Sequence, residues 1–406
     1  MKRITHPARP SWKARVEREL GFTFHSPGGL PYWDETAHFE FTADQVDYLD
    51  EVGVELYKIL LEACDHVVAN QLFGKLGIPE AVAPAVEWSW NRFRSGKGEF
   101  PVYGRFDIAW DGKLPSEGGK GAKMLEYNAS TPTSLYEASV VQYKWLEEYA
   151  GDKDQFNGLH ETLVERWRFI ASQLPHGTLV HFVAQQTPED MGTIAYMSQI
   201  AHEAGLRVKC MPIQDVGYDE GRGCFVDPSF TRIDVLWSLY PPEWLIQDRD
   251  GARLMKAIME GGIILMEPLW KLMLTKGILA IAWEMYEFHP NLLKTSFKRT
   301  DFRPGDKVAA KPLWGREGDG VELVTLGDDL LPVGKVVKAD RERFAGQEGW
   351  IYQAATELPD FGGGHTLLGI WMIGHETKGM GIREDRHAIT GDTSRFVPHL
   401  FHPHKE

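Results

Sequence analysis

A strand, a helix and a second strand follow one another near the middle of this 406-residue chain, and this succession limits the fold most. The segment TLVHFVA at 178–184 is rich in branched apolar residues, which is typical of a buried strand. The pattern then predicts a helix over 189–204 closed by Gly205, and a second strand over 206–211. Because strands joined by a crossover helix pair in parallel, the sequence predicts an α/β fold.

Helix and strand signals continue on both sides of this unit. Thr42 followed by Gln45 is a capping-box pattern, and apolar residues then recur at helical spacing as far as Leu60. We expect this N-terminal helix to be scaffold. The other predicted elements are a helix over 160–174, strands over 232–236 and 263–266, and a helix over 249–259 between those strands.

A lysine followed by a glycine-punctuated loop indicates phosphate binding. In the run KVAAKPLWGREGDGVEL, a strand-like segment over 307–310 leads to Lys311, and the loop after it carries Gly315, Glu317 and Gly318. Glycines let backbone N–H groups approach phosphate oxygens, and the lysine adds a point charge. The order differs from a Walker A loop, in which the lysine follows the glycines. A Gly-rich surface loop that happens to lie beside a lysine stays an alternative.

Hard oxygen donors lie in an upstream segment. Arg105 and Asp107 are two residues apart in GRFD, as are Glu126 and Asn128 in LEYN. Residues at this spacing on a strand face the same side, so each pair would face one pocket. A magnesium ion that keeps nucleotide phosphates and waters as ligands needs only a few such oxygens. The alternative is a salt-bridged hairpin whose acids face water.

Together these segments resemble the glutathionylspermidine synthase family of ATP-grasp ligases. The matching motifs keep the family's order from about residue 12 to the C-terminus: RFD, LEYN, TPT, EPLWKLMLTKGILAIAW, HPNLL, KPLWGREG, IYQ and GIRED. The resemblance implies an ATP-grasp fold with an inserted α/β unit similar to a pre-ATP-grasp domain. The implied parts are an N-terminal helical scaffold over 1–100, a nucleotide- and metal-binding part over 101–150 and 271–406, and the inserted unit over 151–270.

The resemblance also implies ATP and Mg²⁺ as cofactors. Asp107, Glu126 and Asn128 match the family's metal ligands. Arg105 matches an arginine that binds the substrate carboxylate and stabilises the transition state. The implied nucleotide contacts are Lys276 and Lys311 at the phosphates, Gly318 in the phosphate-covering loop, the backbone of Trp350, Ile351, Tyr352 and Gln353 at adenine, and Arg383 at the terminal phosphate.

Two of these cations have ordinary alternatives. Lys276 begins an amphipathic helix, where a lysine is commonly solvated. Arg383 is followed by Glu384 and Asp385, with which it could form an ion pair at the surface.

The implied substrate contacts lie in two places. Ser130 or Thr131, just past the metal segment, would hydrogen-bond the acyl substrate. Glu189 and Asp190 match positions where the family holds polar groups for the thiol peptide or the amine. Acids in the first turn of a helix are also favoured by the macrodipole, which is the alternative.

One segment departs from the family's pattern. In IDVLWSLYPPEW, Leu239 and the pair Pro241-Pro242 replace the usual tryptophan- and threonine-bearing pattern. This departure leaves recognition of glutathione open. The best-known bifunctional relatives carry a separate amidase domain with a nucleophilic cysteine, and no such Cys–His pairing is evident here, so we expect no amidase activity.

The expected reaction is ATP-dependent amide formation. Joining a carboxylate to an amine needs an activated acyl group, and phosphorylation by ATP supplies one. The resemblance implies a peptide-like acid, similar to glutathione, and an amine similar to a polyamine. Three alternatives stay open: an ATP-dependent phosphotransferase, a degenerate nucleotide-binding or partner-binding module, and a metal hydrolase that does not use ATP.

Composition narrows the partners. The formal net charge of −14 disfavours nucleic acid, whose phosphates need a basic face. Cys64, Cys210 and Cys224 are too few and too scattered for a disulfide framework or a zinc site. No apolar run reaches transmembrane length, and the first residues lack the apolar core of a signal peptide, so a cytoplasmic protein without a membrane partner is predicted.

Overall fold

A computed structural model describes residues 1–316, 318–338, 348–391 and 394–403. Glu317, in the predicted phosphate loop, lies outside the described residues. Within them, a four-stranded parallel sheet, two five-stranded antiparallel sheets and two smaller sheets are combined with helices. The mixed α/β fold class predicted from the sequence is confirmed. In these residues no helix has both the length and the apolarity needed to cross a membrane.

The helices account for most of the segments with helical apolar spacing. In chain order, the α-helices of the described residues are α1 (Trp12–Leu20), α2 (Ala43–Ala69), α3 (Ala83–Arg94), α4 (Gln142–Ala150), α5 (Leu159–Gln173), α6 (Pro188–Glu203), α7 (Pro242–Leu245), α8 (Gly251–Met259) and α9 (Ile278–Met285).

The strands are short and spread along the whole chain. They are β1 (Lys2–Thr5), β2 (Ala37–Thr42), β3 (Tyr103–Ala109), β4 (Lys123–Asn128), β5 (Leu179–Ala184), β6 (Arg207–Pro212), β7 (Gly217–Asp219), β8 (Cys224–Val226), β9 (Val235–Ser238), β10 (Ile264–Met266), β11 (Thr295–Ser296), β12 (Lys307–Pro312), β13 (Glu322–Leu326), β14 (Pro332–Lys338), β15 (Trp350–Ala354), β16 (His365–Ile373), β17 (Glu376–Asp385), β18 (Arg395–Val397) and β19 (His399–His402).

The parallel sheet contains the predicted strand–helix–strand unit. Its strand order is β10-β9-β5-β6, and all three pairings are parallel. Helix α6 connects β5 to β6, and Gly205 follows it with a φ of 96° that favours glycine. The strand predicted at 232–236 begins later, at Val235, because Arg232 forms an isolated bridge with Val226 instead. All four strands lie within residues 151–270, and the proposed division into domains stays a prediction.

The two antiparallel sheets face each other across a cleft. One has the order β18-β17-β16-β3-β4 and is called the arginine sheet here, because β3 carries Arg105. The other has the order β11-β15-β12-β13-β14 and is called the lysine sheet, because β12 carries Lys311. The predicted strand at 307–310 is confirmed and extends through Pro312.

The N-terminal hundred residues are not a purely helical scaffold, and that expectation was incomplete. Strands β1 and β2 pair with each other, and β2 also pairs in parallel with β19 near the C-terminus. Helix α2 begins with the predicted capping box, in which Thr42 and Gln45 exchange backbone–side-chain hydrogen bonds of 3.1 and 3.3 Å. The two ends of the chain are thereby joined in one sheet.

A buried ion pair ties the start of β3 to the segment that leads to Lys276. The Glu267 carboxylate accepts from the backbone N–H of Val102 at 3.0 Å, and it pairs with Lys271. The Lys271 Nζ also donates to the carbonyls of Tyr103 and Ala129, at 2.7 and 2.6 Å. Because a buried charge is costly unless it is fully hydrogen-bonded, these contacts fix the relative positions of β3 and the end of β4.

Two glycines in helices predict opposite effects of the same substitution. Gly53 in α2 is buried, and a Cβ there would overlap Thr377 Cγ2 on β17. Gly192 in α6 is exposed, and a Cβ there would meet no atom within 4 Å. We expect Gly192→Ala to raise the free energy of unfolding by about 0.5–1 kcal/mol, the helix preference of alanine over glycine. At Gly53 the same preference is outweighed, because overpacking costs about 1–3 kcal/mol. Gly53→Ala should therefore lower the free energy of unfolding.

Chemical denaturation of both variants and the wild type measures the two effects. Equal stabilisation of both variants would contradict the close packing of α2 on the arginine sheet.

Candidate active site

A cavity of about 120 Å³ lies between the arginine sheet and the lysine sheet. It collects side chains from segments that are far apart in the sequence. Those that the sequence had singled out and that line the cavity are Arg105, Asp107, Glu126, Asn128, Thr131, Lys311, Gly318, Gln353 and Arg383.

Asp107 is buried and bound by two arginines. Arg105 reaches its two carboxylate oxygens at 2.7 and 3.1 Å, and Arg383 reaches Oδ2 at 3.1 Å. Asp107 is only 5% exposed, so the alternative of a hairpin whose acids face water is wrong for this residue. Burial disfavours the charged form of Arg105. The charge of Asp107 and its hydrogen bonds to the guanidinium outweigh this effect and raise the pKa of Arg105.

Arg383 does not form the surface ion pair that its neighbours in sequence allowed. Glu384 instead accepts from Arg3 at 2.6 Å and from Arg395 at 3.1 Å, on the opposite side of β17. Asp385 accepts from the hydroxyl of Ser394 at 2.6 Å. Burial, together with the nearby Arg105, lowers the pKa of Arg383. The alternative is therefore wrong, and Arg383 lies in the cleft.

A glycine that sequence reasoning missed makes this arrangement possible. In the arginine sheet, β16 lies between β3 and β17, and Gly369 of β16 is paired with Asp107. A Cβ at Gly369 would lie 2.8 Å from Arg105 Cδ, so the arginine side chain passes directly over the glycine. Trp371, two residues on, has its ring centroid 5.7 Å from the Arg105 guanidinium carbon. The segment LLGIWMI reads only as an apolar strand with one glycine, so nothing in the sequence marks this role.

Glu126 and Lys276 form an ion pair at the other side of the cavity. Lys276 Nζ lies 3.1 Å from Glu126 Oε2 and also donates to the carbonyl of Gly315. The Lys276 side chain is only 10% exposed and precedes α9, so the alternative of a solvated helix lysine is wrong. Burial opposes ionisation of Glu126, but Lys276 and Lys311 outweigh it and lower the pKa of this carboxyl to about 2.

Lys311 enters the cavity from the lysine sheet. Its Nζ donates to the carbonyl of Leu125 at 2.9 Å and to Gln353 Oε1 at 2.7 Å. Burial lowers the pKa of Lys311 to about 8, although the nearby Glu126 opposes this. Sequence reasoning found Lys311 but missed that Gln353 holds it through a side-chain hydrogen bond.

The segment expected to read adenine lies mostly away from the cavity. Trp350, Ile351, Tyr352 and Gln353 belong to β15, which pairs with β12 along its length and with β11 at its end. Of these four, only Gln353 lines the cavity, and the expected backbone contacts with adenine stay a prediction. The cavity is bordered by the end of β15 and by the chain just after it. The residues that follow Gln353 along this border are Ala354, Ala355, Thr356 and Leu358.

A second cavity of about 90 Å³ adjoins the first. Ser130 and Thr131 line it, and their contact with the substrate stays a prediction. Arg316, which sequence reasoning did not single out, lines both cavities and donates to the carbonyl of Thr131 at 3.3 Å. Its guanidinium carbon also lies 5.9 Å from the ring centroid of Trp244 on α7, so the loop after Lys311 contacts the segment that departs from the family pattern.

The two acids of α6 lie outside both of these cavities. Glu189 lines a third cavity of about 290 Å³ between α6 and the segment 20–24. The backbone N–H of Asp190 donates to Thr187 at the N-cap, at 3.1 Å. Burial raises the pKa of Asp190, and Arg316 partly opposes this. A substrate role for these two acids stays a prediction, beside the favourable macrodipole of their helix.

The donor set fits a magnesium ion. Asp107 and Glu126 are paired across β3 and β4, and Asn128 is paired with Arg105, so three hard oxygen donors face the cavity. No group of three His, Cys, Asp or Glu side chains able to hold a metal occurs in the described residues. Two carboxylates and one amide suffice only for an ion that keeps phosphates and waters as ligands. The metal site stays a prediction.

Comparisons with known proteins identify the family. A model of the glutathionylspermidine synthase pre-ATP-grasp family matches residues 3–402. A Haemophilus influenzae protein named "Putative acid–amine ligase" is 34% identical, over 99% of this chain and 100% of its own. The trypanothione synthetase of Crithidia fasciculata is 28% identical and the bifunctional glutathionylspermidine synthetase/amidase of Escherichia coli 24% identical. This chain matches 53% and 59% of their lengths, respectively.

A solved structure has a similar mixed α/β fold. The glutathione synthetase-like effector of Globodera pallida superposes with a TM-score of 0.51 at 11% identity, over 98% of this chain and 100% of its own. This likeness concerns the fold alone. The chain therefore belongs to the glutathionylspermidine synthase family of ATP-binding ligases.

Proposed function

We propose that this protein joins a carboxylate to an amine by way of an acyl phosphate, at the expense of ATP. The observation that supports it most is the cavity between the two antiparallel sheets, where Arg105, Lys311 and Arg383 line the same space as Asp107 and Glu126. Phosphoryl transfer depends mainly on positioning and on neutralising charge at the phosphate oxygens. A cavity with these cations, held in place by buried ion pairs, supplies both.

Arg105 is the residue best placed to bind the acid. Three of its N–H groups are used by Asp107 and by the carbonyl of Thr133, the latter at 2.7 Å. A guanidinium has five N–H donors, so two stay available in the described structure for a substrate carboxylate. The same donors can stabilise the oxyanion of the tetrahedral intermediate, and their fixed geometry suits a planar carboxylate better than an ammonium would.

Lys311 and Arg383 line the first cavity from two different strands, and Lys276 lines the adjoining second cavity, where it pairs with Glu126. We assign the two lysines to the nucleotide phosphates and Arg383 to the terminal phosphate, with Gly318 in the covering loop. Adenine would lie against the end of β15 and the chain just after it, where Gln353, Ala354, Ala355, Thr356 and Leu358 line the cavity. Asp107, Glu126 and Asn128 would hold Mg²⁺, which when bound neutralises phosphate charge.

The acid and the amine are proposed only as classes. The family name and the open space beside Ser130 and Thr131 support a peptide-like acid, similar to glutathione, and a polyamine-like amine. The net charge of −14 fits small cationic substrates better than nucleic acid. We propose a cytoplasmic enzyme with small-molecule partners. Testing ADP release across small peptides crossed with amines, with products read by mass spectrometry, would identify both substrates.

Removing either lysine should weaken nucleotide binding. We expect Lys276→Ala and Lys311→Ala each to reduce the binding free energy of MgADP by about 1.5–3 kcal/mol, because each removes a hydrogen bond to a charged group. Isothermal titration calorimetry measures this. Lys256→Ala, in α8 with a side chain 73% exposed, is the matched control and should bind as the wild type does. If the variant of Lys276 or Lys311 binds MgADP with wild-type affinity, that lysine does not contact the nucleotide phosphates.

Hydroxylamine tests the acyl phosphate itself. With ATP, Mg²⁺ and an acid that supports ADP release, the wild type should form a hydroxamate. Arg105→Ala should lower its rate by about 10²-fold, the usual effect of losing one oxyanion donor. Gly369→Ala should lower it on a similar scale, because the added methyl displaces Arg105 and small misplacements are costly.

Gly74→Ala is the matched control for the glycine variant, since a Cβ there meets no atom within 4 Å. It should leave hydroxamate formation unchanged. ADP release without any hydroxamate or amide would refute the ligase and support the phosphotransferase instead.

A further inference from the structure

A tyrosine from the N-terminal segment hydrogen-bonds to the turn that holds Arg105. Tyr32 is buried, and its hydroxyl lies 3.0 Å from the hydroxyl of Ser134 and donates to Glu137 Oε1 at 2.9 Å. Ser134 directly follows Thr133, whose carbonyl accepts from Arg105 Nη1 at 2.7 Å. Only one peptide group therefore separates the residue that the tyrosine contacts from the carbonyl that contacts the arginine.

The backbone of this turn is strained and needs contacts that fix it. Ser134 has a φ of 68°, in the left-handed region that favours glycine. Glu137 is the first residue of a single π-helical turn, Glu137–Val141, and π-helical turns occur frequently at functional sites. Because a residue in a sparsely populated conformation persists only when its surroundings determine it, the two contacts of the tyrosine hydroxyl stabilise the turn.

Tyr32 is itself fixed to the arginine sheet. Its carbonyl accepts from the backbone N–H of Phe396 on β18 at 2.6 Å, and its N–H donates to the carbonyl of His25 at 3.0 Å. Strand β18 pairs with β17, which carries Arg383. The tyrosine thus links one edge of the arginine sheet to the turn that contacts Arg105.

Glu137 is needed as a hydrogen-bond acceptor, and its charge is not required for this contact. Burial raises the pKa of Glu137, although hydrogen bonds from its own backbone N–H and from Tyr32 oppose this. A carboxyl group keeps an acceptor oxygen in either protonation state, and the amide of a glutamine offers one in the same place. Removing the charge of Glu137 therefore leaves the contact with Tyr32 intact, whereas removing the side chain does not.

Resting on the ligase function proposed above, we propose that Tyr32 and Glu137 are positioning residues for Arg105. Neither of them lines the two cavities assigned to the nucleotide and the acid. They fix the turn at 133–134, whose carbonyl uses one N–H of Arg105 and thereby sets the direction of its other donors. Without the tyrosine hydroxyl, Ser134 and Glu137 lose a shared partner, and the turn no longer holds the guanidinium in the orientation that the substrate carboxylate needs.

Tyr32→Phe tests this role, because it removes one hydroxyl and keeps the ring. A misplacement of about 1 Å can cost about 10²-fold, so kcat/KM of the acid in hydroxamate formation should fall by at least about 10-fold. The affinity for MgADP should stay at the wild-type value, because Lys276 and Lys311 are held by other contacts. Tyr143→Phe, on α4 with the tyrosine 51% exposed, is the matched control and should change neither quantity.

A comparison of double variants shows whether the effect passes through Arg105. When Arg105→Ala is already present, Tyr32→Phe should have no further effect on hydroxamate formation, because no guanidinium is left to misplace. Glu137→Gln should retain most of the wild-type rate, and Glu137→Ala should be slowed as Tyr32→Phe is. If Tyr32→Phe does not fold, judged by its melting curve and MgADP binding, the two variants of Glu137 decide.

The other outcomes overturn the assignment. An equal loss of rate from Tyr32→Phe with and without Arg105 would show that the tyrosine supports the fold and not the arginine. A Glu137→Gln variant as slow as Glu137→Ala would show that the charge of Glu137 matters, and a wild-type rate in Tyr32→Phe would show that its hydroxyl has no role. A wild type that forms neither hydroxamate nor amide with an acid that supports ADP release would refute the ligase function before any variant is compared, and the positioning role with it.

Discussion

The buried carboxylate of Asp107 is the constraint on which the rest of the site depends. An unpaired charge at 5% exposure would cost several kcal/mol, so the chain must bring cations to it. Arg105 comes from the same strand and passes over Gly369, and Arg383 comes from two strands away, on the far side of β16. The need to neutralise one buried carboxylate therefore accounts for the register of β3, β16 and β17 and for the glycine at position 369. This requirement also orients the guanidinium that we assign to the acid substrate.

Two lysines outside the arginine sheet are also held in place by hydrogen bonds or ion pairs. Lys311 of the lysine sheet is held by the carbonyl of Leu125 and by Gln353, and Lys276, just before α9, is held by Glu126. Preorganised cations of this kind need little rearrangement when charge develops on a phosphate. Lys311 enters the first cavity from the lysine sheet and the two arginines enter from the arginine sheet, which is why we propose that a phosphate and a carboxylate lie side by side there.

Much of this could be predicted from the sequence, since local patterns determine helices and strands. The capping box at Thr42 and the strand–helix–strand unit around α6 depend on near neighbours, and both are confirmed. The residues that the prediction missed depend on distant contacts. Gly369 matters because the side chain of Arg105, on a neighbouring strand, passes over it, and Arg316 because its loop approaches Thr131 and the short helix α7. The spacing of residues within a segment does not predict such contacts with distant segments.

The same reason applies to the segment expected at adenine, of which only Gln353 lines the cavity. A run such as WIYQ signals a strand, but the point where it leaves the sheet depends on how far β12 and β11 pair with it. Lys276 is similar, because helical spacing alone favours a solvated lysine. Its side chain is buried by contacts from distant segments, the ion pair with Glu126 and the hydrogen bond to the carbonyl of Gly315.

The central claim is that ATP phosphorylates the carboxylate of the acid substrate, and oxygen transfer tests it most directly. The acid is labelled with ¹⁸O in both carboxylate oxygens and turned over with ATP, Mg²⁺ and the amine, and the released phosphate is analysed by mass spectrometry. An acyl phosphate retains one carboxylate oxygen on phosphorus when its C–O bond breaks, so each phosphate should carry one ¹⁸O. Amide formation with unlabelled phosphate would contradict the account.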